Sequence, residues 1–332
     1  MTSIKDIALK ANVSIATVSR AINGSSNVTP LTRQRILQIA KELDYHPNAI
    51  ARSLVQKSSR IFGYIVSGIK KGAKHTIVQD SLMGVYDYAR SIGYEILMFV
   101  VDSEKQNKKS YLDFAREHSL AGVIMQGLRT DDAYYKDIID SQIPCVLIDL
   151  PADCERVGSV SIDNYAAART VMQYLIGNGH RRIAYLSGVD EASVSTQRFQ
   201  GYLSVLAENG MEVQTDYILH GNFSEDDAYA ALSAFLPAHP ELNAIFCASD
   251  LMAIGAIRAA HEHGLQIPGQ LAVVGFDDIL LATYIDPPLT TVHQDFSNMG
   301  YEAAKMLYKI IMGQATPHSK NIPYEFIVRQ SG

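Results

Sequence analysis

From residue 60 onward, short apolar runs alternate with amphipathic stretches, and this rhythm constrains the fold more than any other feature. A first series of apolar runs covers 62–66, 95–100, 122–125 and 145–148; a second covers 160–162, 183–186, 244–247 and 271–276. Each run has the length of a strand, and helical periodicity fills the gaps between them. Strands linked by crossover helices pair in parallel, and a parallel sheet needs helices on both faces. Two successive series therefore predict an α/β region of two lobes, each a helix-covered parallel sheet, facing one another across a cleft.

In such sheets a ligand binds beyond the carboxyl ends of the strands. Several runs end in polar groups there: Ser67, Asp149, Asp250 and Asp277. Asp149 and Asp277 come from different lobes, so together they are placed to clamp the hydroxyls of one ligand. Asp250 stands directly before Leu251-Met252-Ala253-Ile254 and reads better as a helix cap than as a ligand contact. His75, with Lys70 and Lys71, lies in the loop after the first strand and faces the same cleft, although a solvated loop suits the lysines better.

The first sixty residues differ in kind. They carry nine Lys/Arg against three acids, a net +6, which leaves −12 on the rest of a chain whose total is −6. A basic head on an acidic body is the footprint of nucleic-acid binding confined to one end. Ser3 and Asp6 form an N-cap signal ahead of Ile4, Ile7, Ala8 and Ala11 at helical spacing. Asn12 suits a tight turn because Asn tolerates the left-handed conformation, and Ser14 then caps a second helix over 15–22. Thr29-Pro30 announces a third, running through Ile36, Ile39, Ala40 and Leu43. Three such helices make a helix-turn-helix unit whose second helix enters the major groove. Ser14 and Thr17 are placed for phosphates, Ile15 and Ala16 for thymine methyls, and Arg20 for guanine O6/N7. After Pro47, residues 48–55 give about two helical turns, too short to stand alone in water. Two copies side by side in the minor groove would order each other, with Leu54 as the apolar wedge that opens a base step.

Other classes fit poorly. No run reaches the ~18 apolar residues of a membrane helix, and the N-terminus has no secretory h-region. Cys145, Cys154 and Cys247 lack metal-ligand spacing and leave an odd thiol, which points to the reducing cytoplasm. Phosphate-loop, dinucleotide, zinc-protease and serine-hydrolase motifs are absent, so neither an enzyme nor a cofactor is expected. A transport-type binding protein would account for the two lobes but not for residues 1–60.

The runs 4–8 (IKDIA), 13–23 (VSIATVSRAIN) and 45–54 (YHPNAIARSL) resemble the LacI/GalR family of bacterial transcription regulators. The resemblance continues through 179–186 (GHRRIAYL), 195–202 (STQRFQGY), 248–255 (ASDLMAIG), 274–278 (VGFDD) and 288–292 (PLTTV). It implies a helix-turn-helix domain over 1–46, a hinge helix and linker over 47–59, and a periplasmic-binding-protein-like effector and dimerisation domain over 60–332. The N-lobe would comprise about 60–161 and 292–321, and the C-lobe about 162–291 and 322–332. It implies further a homodimer on a pseudo-palindromic operator, paired Leu54 side chains at a central CG step, and Ser19, Asn23 and Ala51 among the DNA contacts. Positions matching Asp149, Arg198, Phe223, Ser249, Asp277 and Gln294 line the family's effector cleft. Three departures matter. Asn12 replaces a frequent Gly, Ser249 stands where many sugar-responsive members have Asn, and no second Arg lies just upstream of Arg198, which disfavours a doubly anionic ligand. With no Trp in the chain, stacking on a sugar ring falls to Phe223 or a Tyr. The expected output is repression by a dimer, since no Leu-heptad tail follows.

Overall fold

The structure, a computed structural model, describes residues 3–22, 27–45, 59–68, 76–152, 154 and 156–332. Asn23, Ala51, Leu54 and His75 lie outside the described residues. The chain divides into two compact units, 1–59 and 60–332.

In the first unit α1 (Ile4–Ala11), α2 (Ile15–Ile22) and α3 (Pro30–Glu42) follow the local signals closely. The Asp6 carboxylate accepts from the Ser3 N–H and hydroxyl, both at 2.8 Å. Asn12 ends α1 in the left-handed region (φ 49°, ψ 48°). Its turn returns the Val13 N–H to the Ala8 carbonyl at 3.1 Å, satisfying a helix-end acceptor. Ser14 Oγ then accepts from the Thr17 N–H at 3.1 Å and opens α2. Ile7, Ala8, Ala11, Val18, Ala21, Ile36 and Ile39 close a small core. Arg35 reaches across it to donate to the Ala11 carbonyl at 2.8 Å, which fixes α3 against the end of α1.

The second unit is built from two parallel sheets and one antiparallel ladder. In chain order it comprises β1 (Ile61–Ser67), α4 (Thr76–Ser91), β2 (Glu95–Val101), α5 (Ser103–Lys108), α6 (Tyr111–Glu117), β3 (Gly122–Gln126), α7 (Ala133–Asp140), β4 (Cys145–Ile148) and β5 (Val157–Ser161). There follow α8 (Asn164–Gly177), β6 (Ile183–Ser187), α9 (Ser193–Glu208), β7 (Ile218–His220), α10 (Glu225–Phe235), β8 (Ala244–Cys247), α11 (Asp250–Glu262) and β9 (Ala272–Val274). The unit ends with α12 (Leu281–Tyr284), β10 (Thr291–Gln294), α13 (Phe296–Ile311), β11 (Ser319–Asn321) and β12 (Tyr324–Ile327).

The first sheet has the order β11-β5-β4-β3-β1-β2 and the second β7-β6-β8-β9, every pairing parallel. One expectation needs correcting here. The run at 160–162 falls into the second series by its order in the chain, but its strand starts at Val157 and pairs with β4 in the first sheet. Its apolar character is the same in either lobe, so only the pairing partner could decide.

Alternation along the first sheet fills both faces. Ile65, Val123, Met125 and Leu147 pack with Tyr111, Tyr134 and Ile138 on one side. Tyr64, Val66, Ile124, Val146 and Ile148 face Val85, Met299, Ala303 and Leu307 of α4 and α13 on the other. Those two helices approach until their backbones touch. A Cβ on Gly84 would stand 1.8 Å from the Ser297 carbonyl oxygen, and one on Gly300 would stand 1.9 Å from that of Ser81. The chain passes between the sheets beside the buried residues Ile162, Val292 and Ile322. β10 and β12 pair antiparallel along two of these passages, from Thr291↔Ile327 to Gln294↔Tyr324.

Candidate functional site

Strand ends of the two sheets bring Asp149, Arg198, Asp277 and Gln294 into one electrostatic group. Asp149 follows β4, Asp277 follows β9, Arg198 comes from α9, and Gln294 ends β10. The Arg198 guanidinium is almost fully buried and lies over the Phe276 ring at 3.7 Å. Its Nε donates to Asn164 Oδ1 at 2.8 Å and its Nη1 to the Ala248 carbonyl at 2.6 Å. The same Nη1 lies 3.6 Å from Asp277 Oδ1, which also accepts from Gln294 Nε2 at 2.8 Å. Gln294 Oε1 is buried and has no partner. Asp149 takes the Ser161 hydroxyl at 2.7 Å and feels the charges of both Arg198 and Asp277.

Two backbone features mark the group as built rather than incidental. Asp149 has φ 64° and Asp277 φ 119°, a region that costs a non-glycine residue about 1–3 kcal/mol. Such outliers persist only where the surroundings hold them. For Asp277 the hold comes from the ladder: its N–H bonds the Val292 carbonyl at 2.9 Å.

Two carboxylates share one cation, so neither is in an ordinary state. Burial pushes the Asp277 carboxyl up; Arg198 pulls it down, Asp149 pushes it up, and the Gln294 bond pulls it down, leaving it at about 7. Burial likewise raises Asp149, against the opposing pull of its Ser161 bond and of Arg198. The native state thus holds protons on Asp277 more tightly than the unfolded chain, whose ordinary value is 3.8. By linkage this group's contribution to stability is complete below that value and is lost as pH rises through about 7. Asp277→Asn is expected to flatten the fall in melting temperature over that window. An unchanged slope in calorimetry at several pH values would remove Asp277 as its source.

The other candidates fall differently. Phe223 adopts φ 55° and lays its ring against Gly188, where a Cβ would meet it at 2.2 Å. Gly188→Ala is therefore expected to expel the ring from its seat, read as a change in the environment of Phe223 by NMR. Ser67 is engaged within the N-lobe, accepting from Gln106 Nε2 at 2.9 Å and donating to Asp132 Oδ2 at 3.3 Å. Ser249 caps α11, accepting from the Met252 N–H at 3.3 Å. Asp250 is fully buried and takes the Thr291 hydroxyl at 2.6 Å and the Ile279 N–H at 2.8 Å. It acts as a clamp between α11, the ladder and the 277–279 loop.

Sequence reasoning missed four residues that the geometry brings in. Asn164 and Ser161 bond the arginine and the aspartate described above. His293 meets Asp278 at 3.0 Å, and Arg329 meets the same carboxylate at 2.7 Å. A cavity of about 220 Å³ opens there between Ile77 and Asp80 of the N-lobe helix α4 and Asp278, His293 and Gln294. A larger one of about 440 Å³, around Glu212, Asp216, His239 and Glu241, contains none of the expected site residues.

On the first unit, Ile15 and Ala16 are exposed at the start of α2, with Ser14 and Arg20 also at the surface. Thr17 is half-buried and shares a 2.8 Å hydrogen bond with Ser14; Ser19 is half-buried. Among the described residues no helix is long and apolar enough to cross a membrane.

A helix-turn-helix unit followed in the chain by a two-lobed domain, with charged groups gathered at the strand ends, defines a DNA-binding regulator with its own sensing domain. Residues 3–48 match the family model described as bacterial regulatory proteins of the lacI family, and 172–332 match the periplasmic binding protein-like domain. Catabolite control protein A of Priestia megaterium is 31% identical over 331 residues, covering 99% of this chain and 98% of that protein. Among solved structures, the complex of the transcriptional regulator CelR with cellobiose is 30% identical, with a TM-score of 0.75 and all of both chains covered. The Lac repressor dimer bound to operator and the anti-inducer ONPF is 26% identical, with a TM-score of 0.87 over 99% of this chain and 98% of that one. The chain belongs to the lacI family of bacterial regulatory proteins and is a DNA-binding transcriptional regulator.

Proposed function

We propose that the protein is a cytoplasmic, non-enzymatic repressor whose hold on a pseudo-palindromic operator is set by a neutral sugar between its lobes. The observation that carries this reading is the buried Arg198, bonded to Asn164 and Ala248 and 3.6 Å from Asp277, with the charge of Asp149 from the other lobe acting on it, beside the unsatisfied Gln294 Oε1. Arg198 already gives Nε to Asn164 and Nη1 to Ala248, while Asp149, Asp277 and Gln294 offer acceptors. Two acidic groups beside one already engaged cation leave no spare positive charge for an anion and favour a neutral ligand that donates many hydrogen bonds. Phe223 supplies the apolar face such a ring stacks on, with Ser67, His75 and Ser249 as further lining. The CelR complex with cellobiose supports the sugar class.

Ser14, Ile15, Ala16, Thr17, Ser19, Arg20 and Asn23 read each half-site. Residues 47–59 form the hinge, in which Ala51 and Leu54 enter the minor groove at the central CG step. Leu54→Ala is expected to weaken operator binding at least about ten-fold while leaving ligand binding intact, by the unstacking energy a wedge supplies. Equal operator affinity in an anisotropy titration would end the wedge role.

Dimerisation rests on an exposed apolar surface. β2 is an edge strand, and it leaves Leu97, Met98 and Val100 exposed; Met83 and Tyr86 of α4 are exposed as well. Uncovered apolar edges are interaction sites or aggregation hazards. The Lac repressor forms a dimer, and a second copy of this chain is the occupant proposed here. Val100→Glu should shift sedimentation toward the monomer, and an unshifted dimer would place the interface elsewhere.

The test of the ligand is a melting-temperature screen against neutral sugars, sugar phosphates, uronates, nucleobases and amino acids. A ligand at ~100 times its Kd adds roughly 2.7 kcal/mol, a shift of several degrees. Neutral-sugar hits that vanish in Asp277→Ala support the reading, whereas anionic hits overturn the charge argument.

A further inference from the structure

Helix α8 begins with Asn164, two residues beyond Ile162, where the chain passes from the first sheet to the second. The capping duty there belongs to Asp163, whose carboxylate accepts from the Ala166 N–H at 2.9 Å. The Asn164 side chain is therefore free of the helix end and is completely buried. An amide buried in this way must place its acceptor and its donor. Its Oδ1 accepts from Arg198 Nε at 2.8 Å, and its Nδ2 donates to Ser161 Oγ at 3.2 Å and to the Ile162 carbonyl at 3.4 Å. Ser161 in turn gives its one proton to Asp149 Oδ1 at 2.7 Å.

The directions of these bonds are forced. A guanidinium only donates and a carboxylate only accepts, so the amide and the hydroxyl between them each have one possible orientation. The result is a one-way relay from the Arg198 cation of the second lobe, through the passage between lobes, to the Asp149 anion of the first. No other side chain of this size meets both demands. Aspartate lacks the donor, and serine or alanine is too short.

We propose that Asn164 is the positioning residue of the cleft. It aims Arg198 and, through Ser161, ties that cation to Asp149 across the lobe junction, so that a ligand touching either group is felt by both. This rests on the reading of the cleft as the ligand site, but its test needs no ligand. The full chain labelled with ¹⁵N-arginine is compared as wild type, Arg198→Lys, Asn164→Ala and Ser161→Ala. Arg198→Lys identifies the Nε–H resonance, which the relay keeps slow to exchange. Asn164→Ala should abolish its protection, and Ser161→Ala, which leaves the Arg198–Asn164 bond in place, should shift it. The Ser161 variant keeps the test decisive should Asn164→Ala fail to fold. An Arg198 resonance unmoved in Ser161→Ala contradicts the relay, while a failed sugar screen with a shifted resonance would refute only the ligand reading.

Discussion

Arg198→Ala is expected to end any response to ligand and to destabilise the 60–332 unit by about 3–5 kcal/mol, the usual cost of breaking a buried ion pair from one side. The loss is large because the guanidinium serves several groups at once. Without it, Asn164 Oδ1 and the Ala248 carbonyl lose their donor and the Asp277 carboxylate its cation. Removing one partner leaves the full desolvation cost of the others. Adding Asp277→Asn to Arg198→Ala should restore part of the stability above about pH 7, where the carboxyl would otherwise be left charged without its cation. The measurement is denaturant unfolding of the single and double variants. Additive losses would mean that Arg198 and Asp277 do not share their energy.

Gly300→Ala is the second large effect, and it acts far more simply. The new methyl would stand 1.9 Å from the Ser81 carbonyl oxygen, an obstacle made of backbone rather than of a movable side chain. α13 must back away from α4, opening gaps beside Met299, Ala303 and Val85. Overpacking of this kind costs about 1–3 kcal/mol and occasionally more. For a unit of this size that lowers the melting temperature by several degrees, at roughly 2–4 °C per kcal/mol. A melting curve superimposable on the wild type would show that the two helices slide apart without cost.

How far the sequence could be read depended on the range of the interaction concerned. Ser3, Asn12, Ser14 and Thr29 announce helix ends because a cap is satisfied within three or four residues, and each is found at such an end. Asp149 and Asp277 stand out because they end apolar runs. The grouping of the run at 160–162 with the second series does not hold for the opposite reason, since which sheet its strand joins depends on a partner outside its own sequence. The three-residue strands β7 and β11 carry too few residues for periodicity to register, and the β10–β12 ladder joins segments thirty residues apart. Ser67 and Ser249 show the limit at the site: both stand where strands give out, yet one is held by Gln106 and the other caps a helix. Asn164 carried one faint signal. An Asp-Asn pair at a helix start leaves the second side chain without a capping role, but only the fold shows that it turns toward Arg198.

The central claim is that ligand in the cleft and operator on the first unit are coupled. It is tested most directly by operator titrations of wild type and Asp277→Ala, with and without a sugar found in the melting screen. Coupling of about 1–3 kcal/mol predicts a roughly 5- to 150-fold change in operator affinity for the wild type, and none for Asp277→Ala with its basal affinity intact. A sugar that stabilises the wild type yet leaves its operator affinity unchanged would contradict the account.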